Sequence, residues 1–187
     1  MIVNKARPLA PADYAPADLV DVDVPHTNAP RLRQEAADAV VRMFDAASQA
    51  GVGLVSLSAY RSYDTQTQVY GDIVGANGQA YADTISARPG HSEHQTGWAI
   101  DVGDASGSCH LQECFRDTAA GQWAAAEAWR YGFVLRYPDG GTPVTGYTYE
   151  PWHFRYVGPE LATEYHDTGA ATLEQFFDLA AAPDYTG

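Results

Sequence analysis

The sequence predicts an α+β domain, with a mostly antiparallel central sheet flanked by helices, and three observations lead there. Helix-period and strand-period segments are mixed along the chain, which disfavours a doubly wound parallel sheet. Two late strand-like segments are joined across a turn-forming stretch, as antiparallel neighbours are. The chain has 187 residues, enough to bury one sizeable core and short for two domains.

Prolines at positions 8, 11, 16, 25 and 30 sit among turn formers. Residues 1–30 therefore read as an extended arm packed on the domain, with at most a short strand at Leu19 to Val22. Residues 31–187 make up the body. From Pro30 to Gln49, Leu32, Ala36, Ala39, Val40, Met43, Phe44 and Ala47 recur at helical spacing. Pro30 suits the first turn of that helix and Gly51 its end. Val52 to Tyr60 alternates and reads as a buried strand delivering Arg61 at its end. A helix follows from Asp64 to Val74, with Asp64 as its cap, and Ala76 to Gly90 reads as a loop or short helix.

Trp98 to Val102 reads as a second strand, Thr118 to Tyr131 as a helix closed by Gly132, and Phe133 to Tyr137 as a third strand. Asp139-Gly140-Gly141 marks a tight turn before a fourth strand, Trp152 to Val157. Pro159 opens a helix ending near Gly169, and Thr172 to Gln175 has the form of a capping box for the last helix. Trp98, Trp129 and Phe133 read as core, and Trp152 as core or as a wall of a site.

With 11 basic against 24 acidic residues, the formal net charge is −13. That balance repels nucleic acid and anionic lipid, so partners that need a basic patch are disfavoured. The composition, 45% hydrophobic and 12% aromatic, is that of a packed globular protein, and no apolar run reaches membrane-spanning length. Cys109 and Cys114 are close enough to form a small loop-closing disulfide in an oxidising compartment; thiols or a metal pair are the alternatives. The first residues, Met1-Ile2-Val3-Asn4-Lys5, lack the pattern of a signal peptide. The expected location is nevertheless extracytoplasmic, with an export segment missing from this sequence, and the cytoplasm is the alternative.

Six histidines occur, at 26, 91, 94, 110, 153 and 166, without a His-Glu-x-x-His helix. A metal site must then be assembled from distant segments. His94 lies in a polar turn before a strand, Asp101 at that strand's far end, and His153 at the opening of another. Together they offer the three nitrogen and oxygen ligands of a zinc site that keeps its fourth position open. Pro151 biases Glu150 into an extended conformation, which can set its carboxylate beside the metal without making it a ligand. The competing reading makes the histidines ordinary polar residues and Asp101 a strand-end cap.

The stretches "SAYRSYDTQ", "ARPGHSEHQTGWAIDV", "WRYGFVLRYP" and "TGYTYEPWHFRYVG" resemble the VanY-type D-alanyl-D-alanine carboxypeptidases, zinc peptidases that trim the stem peptide of bacterial peptidoglycan. The opening "VNKARPLAPADYAP" and the closing "TLEQFFD" are similar too, so the likeness runs through nearly the whole chain. It implies one zinc ion per chain on His94, Asp101 and His153, Glu150 as catalytic base, and Arg61 facing the polarised carbonyl or the substrate carboxylate. It also implies that Gln66, Ser92 and Tyr137 line the substrate site. Arg88 flanks the motif as a further substrate contact or, alternatively, orders its loop through an ion pair; His91 is expected to be exposed and not metal-bound. Ala59 stands where the pattern has glycine and Trp98 where it has leucine, and neither change removes a catalytic atom.

The implied reaction is zinc-dependent removal of the C-terminal D-amino acid of a D-Ala-D-Ala stem by a monomer. The alternatives are L,D-carboxypeptidase action on tetrapeptide stems, an endopeptidase, and a non-catalytic zinc-containing wall-binding module. An intact Glu150 separates an enzyme from the last of these.

Overall fold

Residues 1–185 are described by a computed structural model. A two-stranded antiparallel ribbon, β1 (Leu19–Asp21) and β2 (Arg31–Arg33), leads into α1 (Gln34–Gln49). The main sheet holds β3 (Leu54–Ser58), β4 (Ala99–Asp104), β5 (Phe133–Leu135) and β6 (His153–Tyr156). Their order is β3-β4-β6-β5, and every neighbouring pair is antiparallel.

Alternation gives this sheet two unlike faces. On one, Ile100 and Val102 of β4 and Phe154 of β6 join Ala36, Val40, Met43 and Phe44 of α1 in the main core. Ala120 and Ala124 of α4 (Ala119–Glu127) pack into the same cluster. The intervening residues, Asp101 of β4 and His153 and Arg155 of β6, fall on the opposite face and are buried there as well. Register puts Asp101 directly across from His153. A bulge between Ser56 and Ser58 shifts β3 by one residue, so that Ser58 pairs with Asp101 and joins the polar face.

The chain departs from the periodicity reading at its best helix. Pro30 does not open α1: residues 31–33 are extended, with Leu19 facing Arg33 across the ribbon. Arg33 fixes the junction, donating to Asp18 Oδ1 at 2.9 Å while the Gln34 amide bonds the Asp18 carbonyl. Leu32 is fully buried from a strand, so its place in the helical period was coincidental. The α2 helix (Tyr63–Asn77) is capped by Ser62, whose Oγ accepts from the Thr65 amide at 3.2 Å, and not by Asp64, which lies in the first turn. The loop or short helix expected after it contains α3 (Gln79–Ile85).

After α4 comes a 3-10 turn, Ala128–Tyr131, closed by Gly132 at φ +88°. A Cβ there would sit 2.8 Å from the Tyr156 ring and 2.9 Å from the Gly158 carbonyl carbon, so the position needs glycine for space as well as for φ. A one-turn α5 (Thr142–Thr145) follows the Gly140-Gly141 turn. The α6 helix (Pro159–Thr168) ends at Gly169, and Thr172 Oγ1 caps α7 (Leu173–Phe176) through the Gln175 amide. Phe133 is core as expected, but Trp98 and Trp129 are only partly buried. Trp98 lies between Tyr156 and the Arg33 guanidinium, and Trp129 stacks on His166. Cys109 and Cys114 are joined in a disulfide.

The arm is tied into the body at several points. Asn4 donates to Glu174 Oε1 at 2.8 Å, Lys5 Nζ to the Gly146 carbonyl at 2.6 Å, and Gln95 Nε2 to the carbonyls of Ala12 and Tyr14. Beneath the polar face, Arg136 makes two bonds to Glu174, at 2.6 and 2.9 Å, and one to Glu93 at 2.9 Å. Arg155 also donates to Glu93 Oε1 at 2.9 Å. All four side chains are buried, so each ion depends on its partners for the solvation that water would have supplied.

Two outcomes are expected from this network. Glu174→Ala removes two of the three carboxylate bonds of the buried Arg136 and should lower the unfolding free energy by about 3 kcal/mol in urea titrations. Burial raises the Glu174 carboxyl, but its bonds to Arg136 outweigh that and hold it below the ordinary 4.5. A depressed carboxylate stabilises above its unfolded pKa and loses that contribution as pH falls, so the wild type should weaken below about pH 4.5 more steeply than Glu174→Ala.

Candidate metal centre

Two strands and one turn converge on the polar face. Asp101 comes from the middle of β4, not its end, and His153 opens β6 across from it. His94 sits in the 3-10 turn Glu93–Thr96, which Gly97 closes at φ +70°. A Cβ on Gly97 would approach Arg33 and Leu19 side chains to 2.9 Å, so this turn packs directly on the ribbon. The carbonyl of His94 receives the Arg61 amide at 3.2 Å, which links the turn to the segment after β3.

Hydrogen bonds fix the orientation of both rings. His94 Nδ1 lies 2.7 Å from the Ala59 carbonyl, an acceptor, so this nitrogen carries a proton and Nε2 presents a lone pair inward. His94 Nε2 is 3.2 Å from Asp101 Oδ2. His153 turns Nε2 towards Glu93 Oε2 at 3.4 Å and Nδ1 towards Asp101 Oδ1 at 3.1 Å. Ligand atoms of His94, Asp101 and His153 all lie within 4.8 Å of one another, and all three residues are buried.

These residues fit a small divalent cation. Two ligands about 2.05 Å from a tetrahedral ion stand about 3.3 Å apart, and the contacts of 3.2 and 3.1 Å match that spacing. Asp101 Oδ1 is also buried without a hydrogen-bond partner, although His153 Nδ1 is beside it. A cation between them would satisfy that oxygen.

Without an ion, protons carry the balancing charge. Burial would raise Asp101, but His94 and His153 hold its carboxyl well below the usual carboxylate range. Burial opposes charge on His153, yet its contacts with Asp101 and Glu93 prevail and push the ring up to about 9. Burial lowers His94 despite Asp101. Glu150 lies 3.7 Å from His153 Nδ1, and burial lifts its carboxyl to about 8. A divalent charge in the cluster would lower Glu150 and displace the proton on His153.

The cleft above the cluster has a volume of about 400 Å³. Arg61 lines it, held by neutral partners: Gln66 Oε1 at 3.0 Å and Ser58 Oγ at 3.4 Å. Among the described residues no carboxylate pairs with Arg61, so its charge is available to an anion in the cleft. Gln66 is fully buried and spends its amide on the Ala87 carbonyl and Ser86, which makes it the bracket that aims Arg61. Ser92 lines the cleft, and Tyr137 packs its ring 4.8 Å from that of His153 while its carbonyl accepts the Glu150 amide.

Arg88 is placed differently from the expected substrate contact. Its guanidinium makes two bonds to Asp83 and covers the Tyr185 ring, outside the cleft lining, so the ion-pair alternative describes it. His91 is half-buried instead of exposed, with Nδ1 bonded to the Asn4 carbonyl. Trp152 lines the cleft. Sequence reasoning missed Glu93, which binds His153, Arg136 and Arg155 together; a lone acidic residue beside a ligand carries no signal of burial. It also missed Tyr147 and Leu111 in the cleft lining.

Several known proteins are similar to this chain. The chain is 43% identical over 182 residues to YodJ of Bacillus subtilis (strain 168), covering 95% of this chain and 66% of that protein, so it spans just under two thirds of that relative. Among solved structures it is similar to the LdcB LD-carboxypeptidase, with a TM-score of 0.87 and 43% identity over 95% of this chain and 85% of that one. It is also similar to a mutant of the vancomycin resistance D,D-pentapeptidase VanY in complex with Zn(II), with a TM-score of 0.79 and 30% identity over 95% of this chain and 97% of that one. The family model for VanY, D-alanyl-D-alanine carboxypeptidase, matches residues 29–159, and the chain belongs to that family.

Proposed function

We propose that the chain is a zinc-dependent carboxypeptidase that removes the terminal D-alanine from peptidoglycan stem peptides outside the cytoplasm. The observation that carries this reading is the convergence, in one cleft, of the His94, Asp101 and His153 ligand set, the neighbouring Glu150 carboxylate and the uncompensated Arg61. The disulfide suits an oxidising compartment, and among the described residues no helix is long and apolar enough to cross a membrane.

A zinc ion held by His94 Nε2, Asp101 and His153 Nδ1 would supply Lewis acidity and make water a nucleophile near neutral pH. The chain's own residues do the rest. Glu150, poised beside His153, accepts the proton of the attacking water and returns it to the leaving amine, so one carboxylate serves as base and then as acid. Arg61, aimed by Gln66, binds the free carboxylate of the peptide or shares the developing oxyanion charge. Ser92 offers a hydroxyl to the peptide end, and the Tyr137 ring forms part of the wall. Glu93 holds the His153 ring in the orientation that presents Nδ1.

Two specificities share these parts. D,D cleavage of a pentapeptide is supported by the likeness to the VanY family, whose motifs accompany both specificities, while L,D cleavage of a tetrapeptide is favoured by the higher likeness to LdcB than to VanY. With defined stems, D-alanine should be released faster from the tetrapeptide; faster release from the pentapeptide would select the D,D reading, and release from neither would end both.

Glu150→Ala should keep the fold and lower kcat by about 10²–10⁴-fold, as removal of a general base does. Undiminished hydrolysis in that variant would remove Glu150 from this role. Zinc uptake by the metal-free protein should release protons at pH 7, because His153 is held protonated up to about 9 and Glu150 up to about 8. Calorimetry in buffers of different ionisation enthalpy reads this directly: the observed heat should change with buffer, and affinity should rise with pH towards about 9.

A further inference from the structure

The disulfide closes a loop at the edge of the main core, and Leu111, within that loop, lines the cleft. The loop leaves the end of β4, the strand that carries Asp101, and returns at the buried Phe115. The departing end is docked on β4 itself. His110 Nε2 lies 2.8 Å from the Asp104 carbonyl, and its ring fills the space over Gly103, where a Cβ would fall 2.8 Å from His110 Cδ2. Cys109 packs against the main core.

Between these anchors the chain turns outward at Leu111. This residue is about half exposed, yet it lines the same cleft as the ligand cluster. Cys109 and Leu111 both adopt left-handed backbone, at φ +57° and +52°. Non-glycine residues keep that conformation where their surroundings hold it; here Cys109 carries the bridge, and His110, between the two, is bonded to the Asp104 carbonyl. The ligands are buried on the cleft floor, whereas Leu111 stands at the exposed mouth. Val69, Ile73, Tyr81 and Ile85 of α2 and α3 add further apolar lining. A large apolar side chain fixed at the mouth of a polar site is a ready contact for apolar surface on a bound chain.

We propose that the Cys109–Cys114 loop is a substrate-positioning lip, in which the bridge holds Leu111 at the cleft mouth against an aliphatic part of the peptide remote from the scissile bond. The inference rests on the carboxypeptidase reading and deepens it. Binding far from the reacting atoms that is equal in the ground and transition states affects KM and leaves kcat alone. Leu111 is therefore a positioning residue. Opening the bridge should have the same effect as removing the side chain.

The test compares a full stem peptide with an acetylated dipeptide carrying the same scissile bond. Leu111→Gly keeps the bridge and suits the left-handed backbone, so it should fold normally. The double variant Cys109→Ala/Cys114→Ala keeps Leu111 and loses the bridge. For the stem peptide, each should raise KM about 5-fold with kcat unchanged, as expected for losing part of a leucine contact. For the dipeptide, both should match wild type. An unchanged stem-peptide KM in either variant, or an equal loss on both substrates, overturns the proposal. Stem-peptide affinity, measured by calorimetry in a Glu150→Ala background, should weaken by the same factor when Leu111→Gly is added. If the wild type cleaves neither substrate the carboxypeptidase reading falls, and this affinity comparison still decides the lip: equal affinity overturns it, and the expected weakening supports it.

Discussion

The pairing of Asp101 with His153 across β4 and β6 is the constraint on which the structure depends. Register places the two residues opposite each other on one face, and the helices packed on the other face fix that register through Ile100, Val102 and Phe154. A slip of one residue in either strand would send its side chain into the apolar core and break the pairing. The bulge in β3 brings Ser58, and with it Arg61, to the same face. The geometry of the cluster is thus a consequence of the sheet.

A second layer of buried charge holds this arrangement in place. Glu93 joins His153 to Arg136 and Arg155, and Arg136 passes the connection to Glu174, which Asn4 of the N-terminal arm also binds. Chain segments distant in sequence meet in that network. Such ions are costly to bury and more costly to separate, so they strongly disfavour misplacing any one segment. The same network sets the electrostatics of the cleft, because the two arginines keep Glu93 ionised behind the His153 ring despite its burial.

Much of this was legible in the sequence. The α+β class, the strands carrying Asp101 and His153, the helix after Arg61 and the caps at Gly132, Gly169 and Thr172 followed from periodicity and turn chemistry. The ribbon was not, because Leu32 keeps helical phase with Ala36 and Ala39 while its backbone bonds to a strand. Long-range partners decided that case. The placement of His94, Asp101 and His153 in one cluster matches the split ligand pattern, but nothing local in the sequence marks Glu93 and Arg136, which only tertiary structure buries together. Arg88 showed the converse: proximity to the motif suggested a site residue, and an ion pair with Asp83 occupies it.

The loop bridged by Cys109 and Cys114 extends the same logic outward, from a strand fixed by register to a mouth fixed by a covalent link. The buried cluster of His94, Asp101 and His153 is suited to hold one cation. Anomalous diffraction at the zinc absorption edge, on crystals grown after zinc loading, tests it most directly. One strong peak per chain is expected within bonding distance of His94 Nε2, an Asp101 carboxylate oxygen and His153 Nδ1. No peak there, or a peak bound by other residues, would contradict it.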